Sequence, residues 1–310
     1  MNWDLSVDIV CTGPGAAGVA TAISAVDRGG DVFVATSWNA TTRAAGAPIA
    51  THAERLYPWL LSDVSDTETN DYLAAMSSDL GGFRRGGWEP DVPICVVHDP
   101  PPDSGRTVTP FVGARLRDWA ARCLASPYGF LHTRVAEWGT TTMHTADGEM
   151  IEVAEIGSMA PDFDDVSGSV LDWLTAQAGD RDIEIHPNFA LQRIVFEEGE
   201  AIGVVFATPG GPVAVHARHG VTVGAGSPRV NTPLPHQLSD GAADLRVGLV
   251  GRHASRFGRL ELLTSDPIAG HAPSTCRPCS RQVRANLRET RGKSPARRCA
   301  RGEGYPSPGQ

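Results

Sequence analysis

The hydrophobic pattern of the first 36 residues is typical of a strand, a helix and a second strand. Val7, Ile9, Val10 and Cys11 form a short apolar run rich in β-branched side chains, which predicts a buried strand. Small apolar residues from 16 to 26 predict a helix that ends near the pair Gly29-Gly30. A second apolar run at 32–34 predicts another buried strand, so the segment predicts a βαβ unit.

The first strand and the helix are joined by the sequence GPGAAG. Gly13, Gly15 and Gly18 have the G-x-G-x-x-G spacing, which lets the chain turn tightly, lets a pyrophosphate approach backbone N–H groups and lets the helix pack close to the strand. The predicted phosphate-binding residues are Gly13, Pro14, Gly15, Ala16, Ala17 and Gly18. Because the helix N-terminus favours negative charge, we predict dinucleotide binding here. The alternative is a fortuitous glycine turn in an α/β domain.

The residue that follows the second strand is Thr36. A Glu or Asp usually stands there and binds the ribose hydroxyls of the dinucleotide. A threonine hydroxyl makes no charge-assisted bond, so the ribose contact should be weaker by about 1–2 kcal/mol. Thr36 and Ser37 remain candidate cofactor contacts, and Arg43 in the polar loop 37–46 is either a phosphate contact or a solvated charge.

The periodicity of the remaining chain predicts further helices and strands. Helices are expected at 52–61, at 66–80 with Ser65 or Asp66 as the cap, at 116–124, and from Ser167 or Ser169 to 179. A hairpin is expected around Asp147-Gly148, and short strands at 183–185, 191–196, 203–206, 213–217 and 220–223. Residues 81–110 are crowded with Gly and Pro, which predicts irregular surface of the kind that forms lids over active sites.

Two stretches together resemble a known family. They are DIVCTGPGAAGVATAISAVDRGGDVFV, and DIEIHPNFALQRIVFEEGEAIGVVFATPGGPVAVHARHGVTVGAG. These resemble the FAD-dependent oxidoreductases of the fumarate reductase, succinate dehydrogenase flavoprotein and 3-ketosteroid dehydrogenase type. The resemblance implies FAD as the cofactor. Gly224, Ala225 and Gly226 resemble the family's A-T-G motif. The resemblance therefore also implies that the backbone of these residues lies against the FAD.

The fold class implied is α/β, with a Rossmann-like FAD-binding domain, a strand-rich return segment and a disordered C-terminal tail. The FAD-binding domain is expected at 1–226 with a helical and loop insertion at about 50–160, followed by a residual capping or linker segment at 227–275, of which 246–263 looks folded. Residues 276–310 hold nine basic and two acidic residues among many Arg, Pro, Ser and Gly. That composition predicts a disordered basic tail, or indicates a shifted reading frame.

Composition narrows the class of protein. The chain has 310 residues, of which 41% are hydrophobic, and a net charge of −9, which argues against general nucleic-acid binding. It has no apolar run of 18 residues and no signal-like N-terminus, so we expect no membrane span and a cytoplasmic location. Six dispersed cysteines suit a reducing compartment. A zinc site at Cys276 and Cys279 with His271 and Cys299 is a remote alternative, so no metal is predicted.

The function expected from the resemblance is a flavoprotein oxidoreductase. It would exchange a hydride with a C–C bond next to a carbonyl or carboxylate of a small-molecule substrate such as a steroid or a dicarboxylate. Candidates for the proton donor or acceptor are Tyr57, Tyr72, Tyr128, His132 and His186, and none stands in a motif, so the catalytic residues stay unassigned. One alternative is a nucleotide-binding remnant or binding module without turnover. An NAD-dependent Rossmann enzyme is disfavoured because 180–226 predicts strands and no second βαβ pair. The oligomeric state is left open.

Overall fold

The computed structural model describes most of the first 266 residues. The described residues are 2–13, 15–35, 64–78, 80, 91–99, 113–134, 139–225 and 245–266. Their helices and strands are β1 Leu5–Thr12, α1 Ala17–Val26, β2 Val32–Ala35, α2 Thr67–Ser77, β3 Ile94–His98, α3 Gly113–Ala125, β4 Gly129–His132, β5 Thr141–Thr145, β6 Met150–Met159, α4 Val166–Gly179, β7 Ala190–Glu197, β8 Glu200–Thr208, β9 Gly211–Gly224, β10 Leu245–Gly251 and β11 Phe257–Thr264. The fold is mixed α/β and rich in strands. The predicted helix at 52–61 and the predicted tail at 276–310 lie outside the described residues.

The predicted βαβ unit at the N-terminus is confirmed. β1 and β2 are parallel, with Ile9 opposite Val32 and Thr12 opposite Ala35. Nine of the ten residues of α1 are buried. Because their side chains are small, the helix lies close against the sheet.

The described strands form one sheet in which β1 has a parallel neighbour on each side. The order along the sheet is β10-β6-β5-β3-β11-β4-β9-β1-β2, and β7 and β8 extend it from β9. β2 and β9 both run parallel to β1. On the far side of β2, Val34 forms a parallel bridge with Ile185. The strand predicted at 183–185 is therefore present only as this bridge.

The strand-rich return segment is an antiparallel meander. β7 pairs with β8 and β8 with β9. The two strands predicted at 213–217 and 220–223 are wrong as separate elements, because β9 runs through both. Gly220 has a φ of 121°, and the pairing of β9 with β1 shifts register near it. A glycine bulge thus continues a strand where the sequence indicates a break.

Five strands close into a ring. β10 pairs with β6, β6 with β5, β5 with β3, β3 with β11, and β11 with β10. β11 also pairs with β4, which in turn pairs with β9. The ring is thereby joined to the parallel strands through β11 and β4. The expectation that 246–263 is folded is confirmed.

Two sequence-based expectations are corrected. The Gly and Pro content of 81–110 predicts irregular surface, but 94–98 form β3, a mostly buried strand whose short apolar run stands between prolines at 93 and 100. The cap of α4 is neither Ser167 nor Ser169. The side chain of Asp165 accepts a hydrogen bond from the backbone N–H of Gly168 at 3.0 Å, which satisfies one of the unpaired donors at the helix start.

The helices predicted at 66–80 and 116–124 and the hairpin at Asp147-Gly148 are confirmed. α2 is capped by Asp66, whose carboxylate accepts from the Thr69 backbone N–H at 2.9 Å. α3 covers the predicted 116–124, and β5 and β6 form the hairpin around Asp147-Gly148. α1 and α4 pack on one face of the sheet and share one apolar core. Among the helices that the structure describes, none has the length and apolar character needed to cross a membrane.

Candidate functional site

The turn after β1 uses two glycines in a conformation that side chains disfavour. Gly13 has a φ of 93° and Gly15 a φ of 104°, in the region that glycine enters without steric cost. The chain leaves β1 at Thr12 and enters α1 at Ala17 within this turn. The sequence motif thus folds into the tight strand-to-helix turn that it predicts.

The N-terminus of α1 carries no protein cap in the described part of the chain. Its N-cap residue is Ala16, no side chain caps it, and its first turn holds no acidic residue. The first N–H groups of a helix have no partner within the helix, and they carry partial positive charge. This end of α1 is therefore suited to an anionic group supplied from outside the helix.

The helix N-terminus lies at a change of direction in the sheet. Thr12 at the carboxyl end of β1 stands opposite Ala35 of β2 on one side and Val223 of β9 on the other. The chain proceeds from β1 to β2, and β9 returns on the opposite side. Such a switch point, at the carboxyl ends of parallel strands, is where open α/β sheets bind their ligands.

The end of β9 lies directly against the glycine turn. A Cβ atom placed on Gly13 would be 2.9 Å from the carbonyl oxygen of Gly224 and 3.0 Å from its nitrogen. Ala225 is fully buried, and its N–H donates to the carbonyl of Gly129 at 2.8 Å. Two separate glycine segments therefore meet backbone to backbone at the carboxyl edge.

The structure brings seven of the predicted cofactor residues to this edge. They are Gly13, Gly15, Ala16, Ala17, Gly18, Gly224 and Ala225. A Cβ on Gly18 would lie 3.5 Å from the Cβ of Cys11, an ordinary van der Waals contact, so alanine would also fit there. Pro14, Thr36, Ser37 and Gly226 lie outside the described residues.

A row of polar side chains crosses three strands beside the turn, and sequence reasoning missed it. Cys11 of β1 stands opposite Thr222 of β9, which stands opposite His132 of β4. The Thr222 hydroxyl and Nδ1 of His132 share a hydrogen bond of 2.8 Å, and Thr222 also bonds to the Cys11 thiol. The order of the strands in the sheet brings these three side chains together, and His132 and Thr222 are 90 residues apart in sequence.

Burial keeps both ends of this row neutral. It lowers the pKa of His132 to about 4, because the charged ring would lose its hydration. It raises the pKa of Cys11 to about 12, opposed in part by the bond to Thr222. At neutral pH the row is therefore a chain of uncharged donors and acceptors.

The remaining proton-transfer candidates are dispersed in the structure. Tyr128 is buried and donates to the carbonyl of Ser167 at 2.9 Å. Burial raises the pKa of Tyr72, whose hydroxyl contacts the Thr133 carbonyl at 3.5 Å. His186 is stacked on a neighbouring aromatic ring, and Tyr57 lies outside the described residues.

A buried ion pair in β11 was also missed by sequence reasoning. Nε of Arg259 lies 2.6 Å from the carboxylate of Glu261, and both side chains are 2% exposed. The guanidinium also lies 5.3 Å from the ring of Trp119 in α3. The alternating pattern Arg-Leu-Glu-Leu looks like a half-exposed strand. Burial arises because α3 covers the face that would otherwise meet solvent.

Within the residues described, no group of three or more His, Cys, Asp or Glu side chains is arranged to hold a metal ion. The zinc alternative at Cys276 and Cys279 falls outside that part of the chain.

Comparison with known proteins gives low-identity structural likenesses. No protein-family model matches the chain, and no curated protein matches its sequence. A 3-ketosteroid-Δ4-(5α)-dehydrogenase from Rhodococcus jostii RHA1, solved in complex with 4-androstene-3,17-dione, is 20% identical, with a TM-score of 0.30 over 71% of this chain and 46% of that chain. A flavocytochrome c3 fumarate reductase in its open conformation is 12% identical, with a TM-score of 0.30 over 70% and 33%. The chain thus spans less than half of either neighbour, and the proposals below rest on its own geometry.

Proposed function

We propose that this chain binds FAD, with the pyrophosphate at the turn from Gly13 to Gly18. The observation that carries the proposal is the N-terminus of α1, which no side chain among the described residues caps. It follows two glycines with positive φ, at the switch point between β2 and β9. An anionic diphosphate fits this end because it supplies a negative charge and acceptor oxygens, which no described side chain supplies there. Gly13, Gly15, Ala16, Ala17 and Gly18 would hold it.

The strand-rich return supports FAD over NAD. In an ordinary NAD-binding fold a second βαβ pair follows the first. Here β9 reaches the side of β1 through the meander of β7 and β8, and its last residue, Gly224, contacts Gly13. Gly224 and Ala225 would then form the part of the site contributed by the return segment, together with Gly226 from the sequence motif.

The activity proposed for the loaded chain is that of a cytoplasmic oxidoreductase. FAD would supply a hydride acceptor, and the substrate class is a C–C bond next to a carbonyl or carboxylate, as in a steroid or a dicarboxylate. The chain itself must hold the cofactor, exclude water and place a proton donor or acceptor. His132 is one candidate, because it stands opposite Thr222, two residues before Gly224 in β9.

A binding module without turnover is the second candidate, favoured by the scatter of the proton-transfer candidates. Tyr128 is buried in the core, and the His132 ring is engaged by Thr222. An assay with an artificial electron acceptor separates the two. A turnover near 1 s⁻¹, roughly the low end for enzymes, would support the oxidoreductase, and FAD binding without turnover would support the module.

The binding proposal is tested by the visible spectrum of the purified protein and by Gly15→Val. The parent should retain a yellow flavin, and the valine should abolish retention, because its side chain would occupy the space that the phosphate needs. Gly29→Val is the matched control. Gly29 also has a positive φ, 79°, but it lies at the other end of α1, where an added Cβ atom would meet nothing within 4 Å. Equal flavin retention by both variants would refute the site.

A further inference from the structure

At the position after β2, where a carboxylate usually binds the ribose of a dinucleotide, the sequence has Thr36. This position follows the carboxyl end of β2. In the described chain, the segment beside that end on the far side from β1 is 185–189. Ile185 bridges Val34 in parallel, and the N–H of His186 donates to the Val34 carbonyl at 2.8 Å.

The parallel pairing of Ile185 with Val34 sets the direction of the chain after residue 185. Since the two segments run parallel at Val34 and Ile185, the chain after Ile185 heads toward the edge at which β2 ends at Ala35, and it turns at residues 187 and 188 before β7 begins. Pro187 and Asn188 form a turn there, and both are exposed. Among the described residues, this turn is therefore the segment that lies next to the carboxyl end of β2 on the side away from β1.

Aromatic packing fixes the turn on both sides. The ring of His186 stacks on Phe33 at 4.6 Å, and the ring of Phe189 lies 5.5 Å from Phe33 and 5.9 Å from Phe206. Phe33 and Phe206 are buried, at 6% and 0% exposure. The residues on either side of Pro187 and Asn188 are therefore packed against buried rings, and Asn188 itself is exposed at the turn.

The neighbouring polar residues are directed elsewhere. The His186 ring leans back over Phe33, which precedes Val34 in β2, and so away from the strand end. Glu184 precedes the bridge, and its carboxylate faces Nδ1 of His186 at 3.5 Å. Asn188, by contrast, makes no side-chain hydrogen bond to any residue that the structure describes, and its amide offers both a donor and an acceptor.

We propose that Asn188 determines specificity for the ribose of the bound dinucleotide, in place of the carboxylate that Thr36 does not supply. This inference rests on the proposed function, since it needs a dinucleotide at the turn. The amide oxygen of Asn188 can accept a hydrogen bond from one ribose hydroxyl, and its N–H can donate to the other. The interaction therefore requires no charge and no movement of the sheet. The recognised group is a ribose diphosphate with a free 2′-hydroxyl.

The test compares ADP with 2′-deoxy-ADP as probes of the full chain, by calorimetric titration. The parent should bind ADP about three- to tenfold more tightly, the range expected for one neutral hydrogen bond. In Asn188→Ala this preference should fall to about one, whereas Asn188→Asp should keep or increase it. Gln192→Ala is the matched control, because Gln192 is an exposed amide on β7, four residues farther along, and it should leave the preference unchanged.

The outcomes separate this inference from the proposed function. If the parent binds ADP, Gly15→Val abolishes binding and Asn188→Ala still prefers ADP as the parent does, the role of Asn188 is wrong and the site stands. If the parent binds neither ADP nor FAD, both proposals fall. A merely structural role for Asn188 would weaken ADP and 2′-deoxy-ADP equally, and that result also overturns the inference.

Discussion

Gly13→Ala should lower the free energy of unfolding by more than the backbone strain at this position alone would. A non-glycine residue at a φ of 93° is strained by about 1–2 kcal/mol. The added methyl group would also lie 2.9 Å from the Gly224 carbonyl oxygen. Because that neighbour is backbone, relieving the overlap means moving β9, at a cost of about 1–3 kcal/mol.

The unfolded state offsets part of this loss. Replacing glycine by alanine restricts the unfolded chain and stabilises the fold by about 0.4–1 kcal/mol. The net loss of unfolding free energy for Gly13→Ala should therefore be about 1–4.5 kcal/mol. Gly29→Ala carries similar strain, at a φ of 79°, with nothing within 4 Å, so it should lose only about 0–1.5 kcal/mol.

Urea unfolding of the cofactor-free variants, followed by circular dichroism, measures both losses. The difference between the two losses of unfolding free energy measures the effect of the contact between the turn and β9. If Gly13→Ala and Gly29→Ala lose the same free energy, β9 does not press against the turn, and the geometry assigned to the site would be wrong.

Two further predictions concern the cofactor and pH. Thr36→Glu should tighten FAD binding about tenfold, because a carboxylate accepts from ribose hydroxyls more strongly than a threonine hydroxyl does. Thr36→Gln is the neutral control in the flavin titration. Equal FAD affinity of the parent and both variants would contradict this prediction. Asp8→Asn should lower the urea midpoint at pH 6. The hydrogen bond from Arg218 holds the pKa of Asp8 below its ordinary value of 3.8. The charged carboxylate therefore stabilises the folded state at pH values above 3.8. The effect should fade as the pH falls through the folded pKa, and a difference that persists at pH 2 would mean that the asparagine acts through some other contact.

The local elements were predictable where the sequence carries a periodic signal and a boundary residue. The run 7–11, the glycines after it and the small residues of α1 give the βαβ unit without further information. Asp66 as the cap of α2 and Gly148 in the hairpin turn are likewise local signals. Each depends on residues within a few positions of one another, so composition and spacing suffice.

What the sequence could not supply is long-range pairing. The polar row from Cys11 through Thr222 to His132 exists only because β9 lies between β1 and β4. β3 was missed because a buried strand of five residues has too few positions to show a period. The contact between Gly13 and Gly224 joins two glycine segments that only the finished sheet brings together.

β11 has a consequence for the order in which the chain folds. It pairs with β10 on one edge and with β4 and β3 on the other. During synthesis β3 and β4 emerge more than 120 residues before this shared neighbour. Until it arrives, the ring is open and those strands present unpaired edges, which are templates for association with other chains. β11, the last strand among the described residues, thus protects the nascent protein from aggregation. A chain halted shortly before residue 257 would carry the complete glycine turn and still be prone to precipitate.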